Sequence, residues 1–384
     1  MSKMTNSYKK EKRRKKICIA CGGSAGHIFP GLTLAEELVK CYGDSTEILF
    51  LTSDNKIGGT LLKESGFDFY TLPLRGIKRG TVRENLDFML NLLKGSLRSM
   101  KIIFSNRPDC FVGFGSYIAG PPFAAASLLR VPTLIHEQNA RMGKANRFMR
   151  HFATKVALSF PESAALQTKN IVITGNPIRE SASRIRDKTS ARDFLGMSQD
   201  KFTILIIGGS QGAQKINSIA VDMFRDMERK LRDGIQVIHL SGERDYEKLK
   251  REYKDIAITH GLYSFFKEMG IIYSAADIAI SRAGASVIFE LCAHRIPSIL
   301  IPYPFVESHQ VQNAKFLAEK KAAIIIEEDR LSKESLQSSV TRLMDGDSLR
   351  KSMGEIMETL ANPDAAKRLA EEVGLLTGLR AERE

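Results

Sequence analysis

Short apolar runs alternate with helical patterns through most of this chain, and the alternation begins twice in the same way. The first series opens with KICIACGGSAGH at 16–27, and the second opens with FTILIIGGSQGA at 202–213. In each case an apolar run ends at a Gly-Gly-Ser-x-Gly turn that leads into a helical pattern. Such alternation is typical of parallel sheets with helices on both faces. The sequence therefore predicts an α/β fold with two doubly wound, Rossmann-like domains.

The apolar runs predict six strands in the first series and five in the second. They are KICIAC, TEILFLT, CFVGF, PTLIHE, KVALSF and NIVITG, followed by FTILIIGG, IQVIHL, ADIAISR, PSILIPY and AAIIIEE. The segment TGNPIRESASRIRDKTS loses apolar periodicity, so we place the domain boundary near Pro177. The predicted organisation is a disordered basic tail at 1–16, domains at 17–177 and 178–360, and a C-terminal helix within 361–384 that could pack back on the first domain.

The net charge of +13 is concentrated in the first half of the chain. Residues 1–178 hold 26 Lys and Arg against 13 Asp and Glu, whereas residues 179–384 hold 31 of each. The tail MSKMTNSYKKEKRRKK carries eight basic residues and one acidic residue, a composition typical of disorder, although it could serve only for solubility. The first domain therefore calls for a negatively charged partner, which could be nucleic acid, anionic lipid or a diphosphate.

The cysteines and apolar stretches argue against several classes of protein. Five cysteines without a secretory signal predict a reducing compartment, and no stretch predicts a transmembrane helix. Cys18 and Cys21 form a CxxC inside a predicted strand, where two buried thiols are expected rather than a zinc or redox site. The Asp-Gly-Asp triplet at 345–347 lies between helical patterns and predicts a turn at the end of a helix rather than a metal site. We therefore predict no metal and no cofactor.

Polar or glycine-rich segments follow six of the predicted strands: GGSAGH, GSYIAG, HEQN, GNPIR, GGSQG and SRAGAS. Because ligands of open parallel sheets bind beyond the carboxyl ends of the strands, we expect a ligand in a cleft between the domains. Gly284 to Ser286 would begin a helix whose amide groups can bind a diphosphate. Glu290 lies one turn further on, where its carboxylate could accept both hydroxyls of a ribose or could simply be solvated.

The motifs GGSAGHIFP, HEQNA, TGNPIR, GGSQGA and the block 281–314 resemble, in their order, those of the MurG family of peptidoglycan glycosyltransferases, over residues 17 to 328. The resemblance implies a GT-B fold, with two Rossmann-like domains facing each other across a cleft, and no metal. It implies an inverting transferase that moves GlcNAc from UDP-GlcNAc to the MurNAc 4-hydroxyl of lipid I (undecaprenyl-pyrophosphoryl-MurNAc-pentapeptide), forming lipid II. It also implies a peripheral protein at the cytoplasmic face of the cell membrane, with no nucleic-acid partner and with cell-wall synthesis proteins as candidate partners.

Carried over position by position, the resemblance assigns a UDP-GlcNAc site. The first glycine loop would face the donor diphosphate and the acceptor pyrophosphate. Asn139 and Gln310 would bind the donor sugar, and Arg179 and Ser210 the phosphates. The backbone at Phe266 would frame the uracil, and the start of the helix ending in Glu290 would bind phosphate and ribose. The full set is Ser24, Ala25, Gly26, Asn139, Arg179, Ser210, Phe266, Ala285, Ser286, Val287, Ile288, Phe289, Glu290 and Gln310.

An inverting transfer needs a base that takes the proton of the acceptor hydroxyl as it attacks. His27 ends the first glycine loop, and a histidine suits this task near neutral pH. Glu137 is the second candidate for the base. Alternatively, His27 only caps or orients the loop.

A lipid acceptor requires that the first domain meet a membrane. The stretch from Ile77 to Phe104 has helical spacing and is both apolar and basic, as expected for a helix at an anionic bilayer surface. Its apolar positions are Leu86, Met89, Leu90, Leu93 and Leu97, and the basic residues around it are Lys78, Arg79, Arg83, Lys94, Arg98, Lys101, Arg141, Lys144, Arg147 and Arg150. An ordinary helix facing the core is the alternative.

Two departures from the family pattern fall on the acceptor side. Ala25 stands where the family has the third glycine of GGTGGH, and Gly115-Ser116-Tyr117-Ile118-Ala119 replaces GGYxS. A related GT-B transferase that glycosylates diacylglycerol is therefore kept as an alternative. A dinucleotide-binding protein is a further alternative, although the chain lacks GxGxxG at the first loop and carries a second glycine turn.

Overall fold

The first domain is built on a sheet of seven parallel strands. Along the chain they are β1 Lys15–Ala20, β2 Thr46–Ser53, β3 Asp68–Leu72, β4 Cys110–Gly113, β5 Thr133–Glu137, β6 Lys155–Leu158 and β7 Ile171–Ile173, and their spatial order is β3-β2-β1-β4-β5-β6-β7. The helices are α1 Ala25–Tyr42, α2 Lys56–Ser65, α3 Val82–Asn106, α4 Ser116–Leu128 and α5 Lys144–Met149. The computed structural model describes residues 13–23, 25–54, 56–76, 82–161, 163, 170–208, 213–304 and 309–380.

The second domain repeats this plan on a sheet of six parallel strands. They are β8 Phe202–Ile207, β9 Ile235–Leu240, β10 Thr259–Tyr263, β11 Ile278–Ser281, β12 Ser298–Leu300 and β13 Ala323–Ile325, in the order β10-β9-β8-β11-β12-β13. Its helices are α6 Glu180–Ser183, α7 Lys188–Phe194, α8 Gln214–Asp226, α9 Arg229–Asp233, α10 Tyr246–Glu252, α11 Met269–Ala275, α12 Ala285–Ala293, α13 Gln310–Glu319, α14 Lys333–Asp345 and α15 Asp347–Leu360. A last helix, α16 Ala365–Thr377, follows.

Both sheets are buried on two faces, which explains why their strands are continuous apolar runs. In β1, Ile17 and Ile19 pack in one core cluster, while Cys18 and Ala20 pack in the cluster on the opposite face. Cys21 follows the strand and is also buried, and both thiols of the CxxC are free. Burial raises the pKa of both thiols, that of Cys21 to about 12, so they behave as small apolar side chains.

The structure corrects the predicted elements at three places. Strand β1 begins at Lys15, two residues inside the predicted tail, because Lys15 pairs with Asp109 at 3.1 Å and Lys16 with Glu47 at 2.7 Å. Residues 1–12 of the tail lie outside the described residues. Strands β3 and β10 were not predicted, and each lies at an edge of its sheet. Helix α3 runs from Val82 to Asn106, so the predicted residues 77–81 lie outside the described part.

The chain reaches the second domain just after β7, in the segment that contains Pro177. At this junction Phe160 of the first domain packs against Phe289 and Phe316 of the second, with ring centroids 4.8 Å apart in both pairs. Helix α16 then returns to the first domain, where Leu369, Ala370 and Val373 join the core around β1 and α1. The two domains are therefore joined by packing as well as by the chain.

In both sheets, the chain winds outward in two directions from a central pair of strands. The pairs are β1 with β4 and β8 with β11. The connections that leave such a pair run to opposite sides, which opens a crevice at the carboxyl ends of the strands. Four of the six loops predicted to bind ligands follow these strands, while HEQN lies at the end of β5 and GNPIR follows β7.

Candidate active site

The first glycine loop is held close against its neighbours. A Cβ atom at Gly22 would lie 2.6 Å from Ile118 Cδ1 and 2.8 Å from Thr52 Oγ1, so the backbone can pass here only with a glycine. Helix α1 begins at Ala25, which places Gly26 and His27 in its first turn rather than in the preceding loop. Ser24 and the side chain of Ala25 lie outside the described residues.

His27 is oriented by Gln138, the third residue of the HEQN motif. Its Nδ1 lies 2.9 Å from Oε1 of Gln138, and the Gln138 side chain is buried. Burial lowers the pKa of His27, although Glu137 and the Gln138 and Phe114 oxygens oppose this effect and His309 adds to it. The histidine is therefore neutral near pH 7, the form that can accept a proton.

Glu137, the second candidate for the base, has each carboxylate oxygen committed to hydrogen bonds. Oε1 accepts from the backbone N–H and the side-chain amide of Asn139, at 3.0 and 3.1 Å. Oε2 accepts from the N–H of Gly143 and from Nδ2 of Asn146, both at 2.9 Å. The side chain is only 3% exposed. This carboxylate holds the loop that follows β5, and the contacts leave it poorly placed to take a proton from a substrate.

Asn139 stands at the boundary between the two domains. Its Oδ1 accepts a hydrogen bond from Nδ2 of Asn313, in α13, at 3.1 Å. The Oδ1 of Asn313 accepts from the N–H of Ala140 at 2.8 Å, and its Nδ2 also donates to the carbonyl of Ala283 at 3.1 Å. Asn313 is fully buried, so one side chain joins the loop after β5 to the loop after β11.

Glu290 lies in α12, on the second-domain side of the cleft. The hydroxyl of Tyr273 donates to its Oε2 at 2.6 Å, and Nε of Arg179 lies 3.9 Å from its Oε1. The guanidinium of Arg179 also stacks on the ring of Phe29, at 4.2 Å from the centroid. Glu290 is 6% exposed, and its burial raises the pKa of the carboxyl, while Arg179 and Tyr273 act in the opposite direction.

The first turn of α12 presents further groups to the cleft. Gly284 is the N-cap and Ala285 the first residue of the helix, as predicted. Ser286 Oγ and Arg179 Nε are buried, and neither has a hydrogen-bond partner among the described residues. Ile288 and Phe289, in contrast, point into the core of the second domain, so only their backbone groups are available to a ligand. Val287 packs at the edge of the same core.

The remaining predicted residues are divided between described and undescribed parts of the chain. Gln310 begins α13, and its Oε1 accepts from the N–H groups of Ala283 and Tyr303, at 3.2 and 3.1 Å. It thus holds together the loops that follow β11 and β12. Phe266 follows β10 and packs edge-on against Tyr263, with ring centroids 5.0 Å apart. Ser210 lies outside the described residues.

Among the described residues, no three His, Cys, Asp or Glu side chains are grouped as metal ligands would be. Asp345 ends α14, and Asp347 begins α15 after Gly346, so the acidic triplet is a turn between two helices, as the sequence predicts.

Comparison with known proteins decides the family. Models of the N-terminal and C-terminal domains of glycosyltransferase family 28 match residues 17–158 and 203–369. The chain is 35% identical, over 358 residues, to the UDP-N-acetylglucosamine--N-acetylmuramyl-(pentapeptide) pyrophosphoryl-undecaprenol N-acetylglucosamine transferase of Bacillus subtilis (strain 168). That match covers 92% of this chain and 97% of the relative. The chain belongs to the MurG family of glycosyltransferases.

Other MurG relatives and solved structures agree with this assignment. The enzyme of the same name from Desulfotalea psychrophila is 35% identical over 362 residues, covering 94% of this chain and 96% of the relative. The crystal structure of Acinetobacter baumannii MurG has a TM-score of 0.76 and 27% identity, covering 94% of this chain and 99% of the other. A UDP-N-acetylglucosamine 2-epimerase structure, at 14% identity and a TM-score of 0.67, shares the fold alone, over 97% and 99% of the two chains. The fold is GT-B, as predicted.

Several residues at the site of this MurG-family chain were not singled out from the sequence. They are Gln138 beside His27, Tyr273 beside Glu290, Asn313 between the domains, and His309 before α13. Gln138 belongs to the HEQN motif and could have been chosen for that reason. Tyr273 and Asn313 lie in ordinary helical patterns, and only the folded chain brings them to the site.

Proposed function

We propose that this protein transfers GlcNAc from UDP-GlcNAc to the MurNAc 4-hydroxyl of lipid I, with inversion at the anomeric carbon, and so forms lipid II for peptidoglycan. The observation that carries the proposal is the match to N-acetylglucosamine transferases over both domains, which includes the cleft between them. A match confined to one domain would support only a nucleotide-binding fold.

The donor is proposed to bind against the second domain. The N–H groups at the start of α12 and the buried hydroxyl of Ser286 would bind the diphosphate, where the helix dipole favours negative charge. Glu290 would accept the ribose hydroxyls, and Arg179, beside it, would approach the phosphates. These groups need no metal, because the helix terminus and the arginine can stabilise the charge that gathers on the leaving UDP.

The acceptor is proposed to enter from the first domain, beside His27. Its 4-hydroxyl oxygen attacks the anomeric carbon of GlcNAc, and the bond from that carbon to the diphosphate oxygen breaks. The hydroxyl proton passes to Nε2 of His27, which is the unprotonated nitrogen if Nδ1 donates to Gln138. Glu137 is proposed to shape the loop that carries Asn139 rather than to act as a base.

Attachment to a membrane surface is proposed to occur through α3. Leu86, Met89, Leu90, Leu93 and Leu97, the predicted apolar stripe, are 46% to 65% exposed. The opposite face packs on the domain through Ser99, Ile102 and Ile103, and a Cβ at Gly95 would collide with Leu74. A helix that is apolar on both faces and flanked by exposed Lys94, Arg98 and Lys101 suits the interface of an anionic bilayer.

No described helix has both the length and the apolar composition that spanning a bilayer requires. We therefore place the attachment at the surface, and the chemistry of a nucleotide donor suggests the cytoplasmic face. The excess positive charge of residues 1–178 would add to attraction by anionic lipid. Proteins of cell-wall synthesis are candidate neighbours at this surface.

The test is to incubate the purified protein with radiolabelled UDP-GlcNAc and a soluble analogue of lipid I. We expect label in a product with a new β-linked GlcNAc, and little transfer from UDP-glucose or UDP-galactose. Transfer to diacylglycerol instead would favour the alternative lipid glycosyltransferase. Binding of NAD without any sugar transfer would contradict the proposal.

A further inference from the structure

A chain of buried hydrogen bonds runs from the junction of the two domains to His27. It begins at the carbonyl of Gly175, which lies 3.1 Å from Nε2 of His136. Nδ1 of His136 lies 3.2 Å from Nε2 of Gln138, and Oε1 of Gln138 lies 2.9 Å from Nδ1 of His27. His136 and Gln138 are almost completely buried, so water does not compete for these groups.

The direction of each hydrogen bond in this series follows from the first one, to the carbonyl of Gly175. A carbonyl oxygen can only accept, so Nε2 of His136 carries a hydrogen and donates to Gly175. Burial lowers the pKa of His136 to about 4, which leaves the ring neutral and its Nδ1 an acceptor. Gln138 must then donate to that nitrogen through its amide group.

Two further carbonyl groups fix the same orientation of Gln138. Its Nε2 lies 3.3 Å from the carbonyl oxygens of both Phe114 and His136. A flipped amide would place its oxygen against these two acceptors and against the His136 lone pair. Oε1 is therefore the atom that faces His27, and an amide oxygen can only accept, so Nδ1 of His27 must donate.

We propose that Gly175, His136 and Gln138 set the tautomer of His27, so that its Nδ1 carries the hydrogen and its Nε2 is left to take the acceptor proton. His136 and Gln138 are positioning residues, because they act on the reaction only through His27. This inference rests on the proposed function, in which His27 is the base. It also explains why the HEQN motif carries both a histidine and a glutamine that do not face the cleft.

The direct test reads the tautomer in the unmodified protein. Proteins labelled with ¹⁵N in histidine show, by the ¹⁵N shifts of each ring, which nitrogen carries the proton. The His27 signals are identified by their loss in His27→Ala. We expect the Nδ1–H form in His27 and the Nε2–H form in His136 at pH 7.5. An Nε2–H form in His27 would overturn the proposal.

Two substitutions at Gln138 test whether the contact matters for turnover. Gln138→Leu removes the acceptor and should lower kcat by about 10- to 10³-fold, because the neutral ring is free to adopt the wrong tautomer. The Michaelis constant for UDP-GlcNAc should stay within about twofold of the original. Gln138→Glu keeps an acceptor for Nδ1 but loses the amide N–H groups that face His136 and the Phe114 carbonyl, so its activity should lie between that of Gln138→Leu and that of the unsubstituted protein.

The pH profile separates this role from a merely structural one. The groups that face His27 are Glu137, His136, His309 and Gln138. The Gln138 contact raises the pKa of His27, so Gln138→Leu should move the acid limb of the kcat profile to lower pH. A carboxylate from Gln138→Glu stabilises the protonated ring more strongly and should move that limb to higher pH. Unchanged limbs in both variants would contradict the proposal.

Gln236→Leu is the matched control. Gln236 is fully buried in the second domain and makes three hydrogen bonds, to the N–H and carbonyl of Ser198 and to Thr203. This change should lower the unfolding temperature without moving the pH profile. If His27→Ala retains normal kcat, the base assignment and this proposal both fail. If His27→Ala abolishes turnover while the tautomer or the profiles disagree, only the positioning proposal fails.

Discussion

At the scale of single residues, burial shifts the pKa values of two titratable groups at the cleft, His27 and Glu290. Burial lowers the pKa of His27 and raises that of Glu290, so both neutral forms are favoured relative to the free amino acids. For His27 this keeps the ring neutral, and so able to accept a proton, at a lower pH than for an ordinary histidine. For Glu290 it is opposed by Arg179 and Tyr273, which favour the ionised form that can accept two hydroxyls.

Replacing His27 should separate proton transfer from binding. His27→Ala should lower kcat by about 10²- to 10⁴-fold, the usual contribution of a positioned base, with little change in donor affinity. In the original protein, kcat should fall on the acid side as His27 is protonated, and the midpoint should lie below pH 6.5 because its pKa is lowered. Steady-state kinetics with a soluble acceptor measure both. A collapse of donor affinity at normal kcat would make His27 a binding residue.

Glu290 and Tyr273 should together determine the preference for a ribose that carries a 2′-hydroxyl. The original protein should prefer UDP over 2′-deoxy-UDP, and Glu290→Ala should erase that preference. Tyr273→Phe should weaken it by roughly tenfold, because a charge-assisted hydrogen bond that holds the carboxylate is lost. Calorimetric titration of both nucleotides measures the ratio. Tyr253→Phe is the control, since its equally buried hydroxyl contacts His239 instead. A full preference in Glu290→Ala would remove the ribose assignment.

At the scale of secondary-structure elements, α3 is the helix whose exposed face is least compatible with water. Its apolar stripe is exposed, and so are the rings of Phe148 and Phe152, at and beyond the end of α5, whose centroids are 5.6 Å apart. Isolated exposed apolar residues are common on protein surfaces. A contiguous apolar stripe on one helix face, in contrast, indicates a site of interaction with a membrane or another protein.

Binding to vesicles should have an electrostatic part, which salt weakens, and an apolar part, which salt does not weaken. Reversing Lys94, Arg98 and Lys101 to Glu should weaken binding to anionic vesicles by at least about tenfold at low salt. Replacing Leu86, Leu93 and Leu97 with Ser should weaken it at high salt as well. Sedimentation with vesicles measures both. Reversing Lys230, Lys254 and Lys351, exposed in the second domain, is the control. Equal losses in the control would mean that only total charge matters.

The sequence predicts strands well where they are continuous apolar runs and poorly where polar residues interrupt them. The central strands are such runs, and glycine or polar turns at their ends mark them further. Strands β3 and β10 escaped prediction because they are half exposed edge strands, DFYTL and THGLY, with polar residues and a glycine among few apolar ones. The stripe of α3 was predicted, but periodicity alone cannot tell a face that meets the core from one that meets a membrane.

The site divides in the same way. The positions of Asn139 and Glu290 beside the cleft could be predicted, because their motifs follow strands whose ends converge at one edge of a sheet. The positions of Tyr273 and Asn313 could not, because their contacts join helices to residues far away in sequence. The hydrogen bonds that occupy both oxygens of Glu137 were equally invisible in the sequence.

At the scale of the whole molecule, the two domains are joined by contacts outside the cleft as well as across it. Phe160 packs against the second domain at the junction, and α16 returns to the first domain, where Lys155 pairs with Glu372 at 2.6 Å. Across the cleft itself, Asn313 makes the hydrogen bonds that link the two sets of loops. In the proposed function the donor and the acceptor bind to different domains, so we expect this link to set the distance between His27 and the donor sugar.

Breaking that link should lower turnover more than it lowers stability. Asn313→Ala removes the contacts with Asn139 and Ala140, so the two domains are held at the cleft by fewer bonds. We expect kcat/KM to fall by about 10- to 100-fold, because a small displacement of the base from the sugar is costly. Each domain keeps its own core, so the unfolding temperature should fall by only a few degrees, about what one or two hydrogen bonds contribute.

Asn170→Ala is the control, because the side chain of Asn170 donates a hydrogen bond within the first domain, to the carbonyl of Ala153. Kinetics, thermal unfolding and small-angle scattering of both variants distinguish the outcomes. Normal kcat/KM in Asn313→Ala would show that the remaining contacts between the domains hold the cleft in its active geometry without this link.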